Sequence, residues 1–179
     1  MNIRGWEPRL ARSRLPRTRF ASDWRERTRM NANRIAAGWG NYLANFEWEF
    51  AATLTFDSKR SGSPSEALVS RESFDWCNLV ARLSRLPSGW AYAIEGGGGG
   101  SLHAHALIAG VRVEAIEAAE AAWRARNGRI KTTRVNNPTA AAGYLTKSIG
   151  PNGEVVFSDT LDRYRRDACV GESPKIEGR

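Results

Sequence analysis

Apolar positions along this 179-residue chain switch between a period of two and a period near 3.6, and the switches divide it into elements. Phe46 to Phe56, read as Phe-Glu-Trp-Glu-Phe-Ala-Ala-Thr-Leu-Thr-Phe, alternates and is rich in aromatic and β-branched residues, which predicts a strand. Ser63 as N-cap, Pro64 at the first position and Glu66 three residues after the cap predict a helix start. Leu68, Trp76, Leu79, Val80, Leu83 and Leu86 supply its apolar stripe until Pro87 stops it. Trp90–Glu95 and Leu102–Ala109 predict two strands of a hairpin joined across five glycines, Gly96–Gly100. Val113–Arg126 is Ala- and Glu-rich, a helix on propensity. Arg129–Val135 alternates as a strand, and Asn137-Pro138 is an N-cap followed by proline, which predicts a helix over Thr139–Ile149 closed by Gly150-Pro151. Glu154–Phe157 predicts a last strand. Upstream, a helix is expected from Ser22 toward Tyr42, with Trp24, Met30, Ile35 and Trp39 as loosely spaced apolar points. The order strand, helix, strand, strand, helix, strand, helix predicts an α+β domain built on a central, mostly antiparallel sheet flanked by helices. No internal repeat is visible.

Charge adds a second feature. The net charge is +8, and residues 1–35 carry ten arginines against three acids, which leaves the remainder nearly neutral. A basic arm ahead of a neutral domain is a footprint of phosphate-backbone binding, although a solubilising tail has the same composition. Every base in the arm is arginine, whose fork grips phosphate with two hydrogen bonds, and this favours nucleic acid. Residues 1–21 are poor in apolar side chains and are expected to order on binding. The expected organisation is an arm and helix over 1–45, a domain over 46–160 and a tail over 161–179. The last four residues, Ile176-Glu177-Gly178-Arg179, match a protease site used with expression tags and are given no role. Two distant cysteines, Cys77 and Cys169, argue against a disulfide framework or a cysteine-rich zinc site. No apolar run is long enough to span a membrane and no signal-type segment opens the chain, so a cytoplasmic protein without membrane partners is expected, or a nuclear one if its source is a eukaryotic virus. No phosphate-binding loop motif occurs, so no helicase is expected within these residues.

The candidate chemistry lies in two places. The only histidines, His103 and His105, stand two apart in a predicted strand and so project from one face, with Leu102, Ala104 and Ala106 on the other. Glu95 ends the partner strand of the hairpin, so its carboxylate can reach the same point. Two imidazoles and a carboxylate leave positions open on a divalent ion, as a Lewis-acid site requires. A pair of histidines on a half-buried strand and a solvated strand end account for the same residues without an ion. Tyr144 and Lys147, three apart on a predicted helix, share a face behind the small residues Ala140-Ala141-Ala142-Gly143. A tyrosine can act as a covalent nucleophile, and a neighbouring ammonium can stabilise charge that develops during attack. A packed tyrosine beside a surface lysine is the plainer alternative.

In order and spacing, three blocks resemble the HUH endonucleases of rolling-circle replication initiators. Phe50-Ala51-Ala52-Thr53-Leu54-Thr55-Phe56 resembles the first motif, Glu95 with His103-Ala104-His105 the second, and Tyr144-Leu145-Thr146-Lys147 the third. The resemblance covers about residues 46–150. Ala104 departs from it, because a bulky hydrophobe is common there. The resemblance implies that Glu95, His103 and His105 hold Mg²⁺ or Mn²⁺, that Tyr144 is the nucleophile and that Lys147 assists it. It implies nicking of single-stranded DNA, at an origin stem-loop, through a 5′-phosphotyrosine link with a free 3′-hydroxyl, and with host helicase and polymerase as partners. Thr53, Thr55, Arg129, Lys131, Arg134 and, in the arm, Arg12, Arg14, Arg17 and Arg19 are the expected DNA contacts. Tyr164, between Arg163 and Arg165, is expected at the surface or on DNA, and Tyr42 and Tyr92 in packing. A single-tyrosine transposase of the same superfamily, a non-catalytic single-strand binder with stacking aromatics and a metal-stabilised structural domain are the competing readings.

Overall fold

In a computed structural model of the chain, residues 17–57, 63–96, 102–147, 149 and 154–166 are described. Arg12 and Arg14, the tip of the glycine connection and Cys169 lie outside them. The elements are helix α1 (Arg17–Leu43), strand β1 (Phe50–Phe56), helix α2 (Glu66–Ser84), strands β2 (Gly89–Glu95) and β3 (His103–Ala109), helix α3 (Val113–Arg126), strand β4 (Gly128–Arg134), helix α4 (Pro138–Thr146), strand β5 (Val155–Phe157) and a 3₁₀ turn, Leu161–Tyr164. The strands form one antiparallel sheet in the order β4-β1-β3-β2-β5. The expected α+β class and the β2–β3 hairpin are therefore present.

Local chemistry moved several boundaries. α1 begins five residues before Ser22. β1 begins at Phe50, because the aromatic residues ahead of it serve as packing anchors: Phe46 and Trp48 are buried, and the Trp48 indole donates to the Leu43 carbonyl at 2.7 Å. The cap of α2 is Ser65, not Ser63. Ser65 is extended, and its hydroxyl accepts from the Leu68 amide at 3.2 Å, so Pro64 lies outside the helix. The helix then ends at Arg85, in the left-handed region, two residues before Pro87. Leu83 and Leu86 are thereby left exposed, and Trp76, Cys77 and Val80 form the buried stripe. Asn137 caps α4 as expected, through the Ala140 amide, but the helix stops at Thr146 with Lys147 as its cap.

The two faces of the sheet are packed differently. Phe50, Leu54 and Phe56 of β1, Trp90 and Tyr92 of β2, and Ala104, Ala106 and Ile108 of β3 meet Val69, Trp76 and Val80 of α2 and Ile116, Ala119 and Trp123 of α3. Indole donors are satisfied at the seams: Trp76 bonds the Ala119 carbonyl at 3.1 Å and Trp123 the Arg129 carbonyl at 3.1 Å. On the other face Ala91, Ala93, Leu107 and Ala109 meet Leu43 of α1, Ala142 and Leu145 of α4, and Leu161. α1 passes close to α4 at Gly40, where a Cβ would stand 3.2 Å from the Thr146 hydroxyl. This close crossing fixes the helix that carries Tyr144. Residues 161–166, expected in a tail, join the packed unit. Tyr164 is not a free surface group: its ring lies over Gly89 and Gly110 and packs with the second core. Gly110 has φ +67° there, so both its backbone and the ring exclude a side chain. Among the described residues no helix is long and apolar enough to cross a membrane.

Candidate active site

Strand register builds the site in rows. Arg129 of β4 faces Thr55 of β1, which faces His103 of β3, which faces Glu95 of β2. Two residues along, Lys131, Thr53, His105 and Ala93 form the next row. The period-two alternation brings all of these to one face, while Ala104 and Ala106 enter the core behind it. Ala93, beside His105, is small, and this leaves room for Glu95 to reach diagonally across. Glu95 Oε2 lies 2.6 Å from His105 Nε2 and 3.1 Å from His103 Nε2.

Each ligand candidate is held from behind or beside. His105 is buried, and its Nδ1 is 3.2 Å from the Thr53 hydroxyl. If that Nδ1 carries the proton and donates to Thr53 Oγ1, Nε2 keeps its lone pair toward Glu95 and His103. Burial pushes the His105 pKa below its ordinary value, the Glu95 carboxylate pulls it back up, and His103 and Lys147 press it down again, with a net lowering. The neutral ring is the form that ligates a metal. His103 and Glu95 are partly exposed, so the cluster opens to solvent on one side. One ligand atom from each of Glu95, His103 and His105 lies within 4.8 Å of the others, a set that could hold a metal ion. Nitrogen and carboxylate donors in that number suit a first-row divalent ion and leave positions for substrate.

The second block arrives from α4. The Tyr144 ring stands edge-on to His105 with centroids 4.8 Å apart, and it is 51 % exposed. Lys147 Nζ lies 3.9 Å from the centre of the Tyr144 ring and 3.9 Å from Glu95 Oε2. The structure thus brings together Glu95, His103, His105, Tyr144, Lys147 and Thr53, residues spread over almost a hundred positions. Thr55, Arg129 and Lys131 share their face. Arg134 does not: alternation turns it to the opposite face, where its guanidinium lies 5.1 Å from the Phe50 ring centre. Arg17 and Arg19 fall within α1.

Sequence reasoning named Thr53 for DNA and missed its contact with His105. The signal available was register alone, and register depends on the order of strands that are distant in the chain. It also missed a cleft of about 370 Å³ between α4 and the β1–β4 edge, whose lining runs from His105 and Tyr144 to Asn136. No protein-family model, curated protein or solved structure matches this chain.

Proposed function

We propose that the chain is a metal-dependent, site-specific single-strand DNA endonuclease and strand-transferase with Tyr144 as nucleophile, acting to start rolling-circle replication. The observation that carries this reading is the half-exposed Tyr144 ring set against a His₂Glu cluster with Lys147 beside both. A structural tyrosine would be expected to bury its ring; this one opens on the side where substrate must approach.

Glu95, His103 and His105 would hold Mn²⁺ or Mg²⁺, and two nitrogen donors favour Mn²⁺ over the oxygen-seeking Mg²⁺. When bound, such an ion supplies Lewis-acid polarisation of a phosphate oxygen. The tyrosine oxygen attacks phosphorus, the bond from phosphorus to the 3′ oxygen breaks, and that oxygen takes the leaving electron pair. The phenol proton is lost and a proton is gained at the 3′ oxygen, giving a 5′-phosphotyrosine link and a 3′-hydroxyl. Reversal by an incoming 3′-hydroxyl rejoins the strand. Lys147 places positive charge where negative charge develops. Arg129 and Lys131, on the uncovered β4 edge of the same face, offer phosphate contacts, with the arginine arm adding affinity that falls with salt.

Incubation with a randomised single-stranded pool and Mn²⁺ should give a protein–DNA band that survives heat and detergent. Tyr144→Phe and a chelator should each remove it while leaving native DNA binding nearly intact. A band at wild-type yield in Tyr144→Phe would assign the nucleophile elsewhere.

A further inference from the structure

The cleft beside Tyr144 has a composition suited to one ligand chemistry. Its floor is the row Thr133–Ala51–Leu107 and the neighbouring Thr53 and His105; its wall is Ala140, Ala141 and Leu145 of α4. Alanines at 51, 140 and 141 create the space, because α4 leans on β3 and β2 and leaves the β1–β4 edge uncovered. The lining contains Lys131 and no acidic residue; Arg134 borders the cleft while its guanidinium lies over Phe50 on the opposite face. Amides stand at the mouth: Asn137 is occupied in capping α4, and Asn136 next to it is exposed. By contrast, the large cavity on the opposite face, between α2 and α3, includes Glu72 and Asp75 and has no continuity with Tyr144.

We infer that this cleft seats one unpaired nucleobase of the DNA strand next to the phosphate attacked by Tyr144. A planar, largely apolar ring with polar edges fits a slot of apolar walls and an amide-lined mouth, and the flanking phosphates would meet Lys131. Because the base must leave its stack to enter, the seat selects single strands over duplex. The seat also fixes which phosphodiester faces the nucleophile, so it determines nick-site choice. The inference rests on the nuclease reading for the identity of the strand, but base binding here can be measured without cleavage.

The test uses the full chain in chelator, with an oligothymidylate carrying 5-iododeoxyuridine. Ultraviolet crosslinks are mapped by mass spectrometry, and native affinity is followed by anisotropy. Crosslinks are expected within 133–144, falling about tenfold in Ala140→Trp, the scale of one seated base. Ala141→Leu, a smaller filler, should reproduce the loss if the tryptophan variant folds poorly by circular dichroism. Crosslinks confined to 129–131 or to the arm, or a 133–144 signal unchanged by either filler, would overturn the seat. Loss of the covalent adduct in the nickase assay with these crosslinks intact would sink the nuclease reading and leave the seat standing.

Discussion

The two faces of one sheet follow opposite rules. Toward α2 and α3 the strands present Phe50, Leu54, Phe56, Trp90, Tyr92 and Ile108, large groups set around Ala52, Ala104 and Ala106 that pack with Val69, Trp76, Val80, Ile116 and Trp123. Toward α1 and α4 they present mostly small groups, Ala51, Ala91, Ala93 and Ala109 with Leu107 as the large one, and the polar residues Thr53, Thr55, Glu95, His103 and His105 at one end. Large strand side chains bury more apolar area than small ones, so the strands contribute more to packing on the α2–α3 face. The candidate site lies where they are small, because small residues leave room for a carboxylate to reach two imidazoles. The lesson is that a single alternating pattern supports both tasks only if its two phases carry different residues.

Substitutions on each face should therefore fail in different ways. Trp76→Ala, on the large-residue face, should cost about 3–5 kcal/mol in denaturant unfolding while the folded protein keeps its Mn²⁺ affinity; a loss of affinity in the folded protein would show that the faces are coupled. His103→Ala, on the other face, should do the reverse. Its Mn²⁺ affinity by electron paramagnetic resonance should drop by more than the roughly tenfold to hundredfold carried by partners outside the ligand set, with little change in unfolding. Thr53→Val should weaken Mn²⁺ binding about tenfold through His105 orientation, and Thr53→Ser should restore it. Equal binding by the valine variant would leave Thr53 without a positioning role.

The smallest effect concerns acid. Burial pushes the Glu72 carboxyl up, but hydrogen bonds from Arg71 and Asn127 and the charge of Arg126 outweigh it, and its pKa is lowered. A carboxyl lowered by folding stabilises fully above its ordinary range, and that stabilisation disappears as pH falls through the folded value. Glu72→Gln should thus lose about 1 kcal/mol at neutral pH and show a flatter stability profile in acid. A profile identical to wild type would remove Glu72 from the acid response.

Much of this architecture was legible from local signals. The hairpin, the Asn137-Pro138 start and the shared face of His103 and His105 are short-range consequences of period and capping, and each is present. Elements whose residues do two jobs were misread. Phe46 and Trp48 carry strand composition but anchor the second core, and Ser65 competes with Ser63 for the same cap. Tyr164 reads as a basic-surface residue because its neighbours are arginines, yet two glycines that are distant in sequence admit its ring. The Thr53–His105 contact and the cleft at Ala140 depend on which strand lies beside which, and no local pattern encodes that order. Glu95, Tyr144 and Lys147 were named from the chain, but their convergence on one point depends on the hairpin register that places Glu95 and on the packing of α4 over β2 and β3.

The most direct test of the account is to digest the Mn²⁺-dependent protein–DNA adduct and map the linked residue by tandem mass spectrometry. The account predicts a nucleotide mass on the peptide containing Tyr144, joined through a 5′ phosphate. A nucleotide on Tyr164 or another residue, or no adduct with any strand from a fully randomised pool, would contradict it.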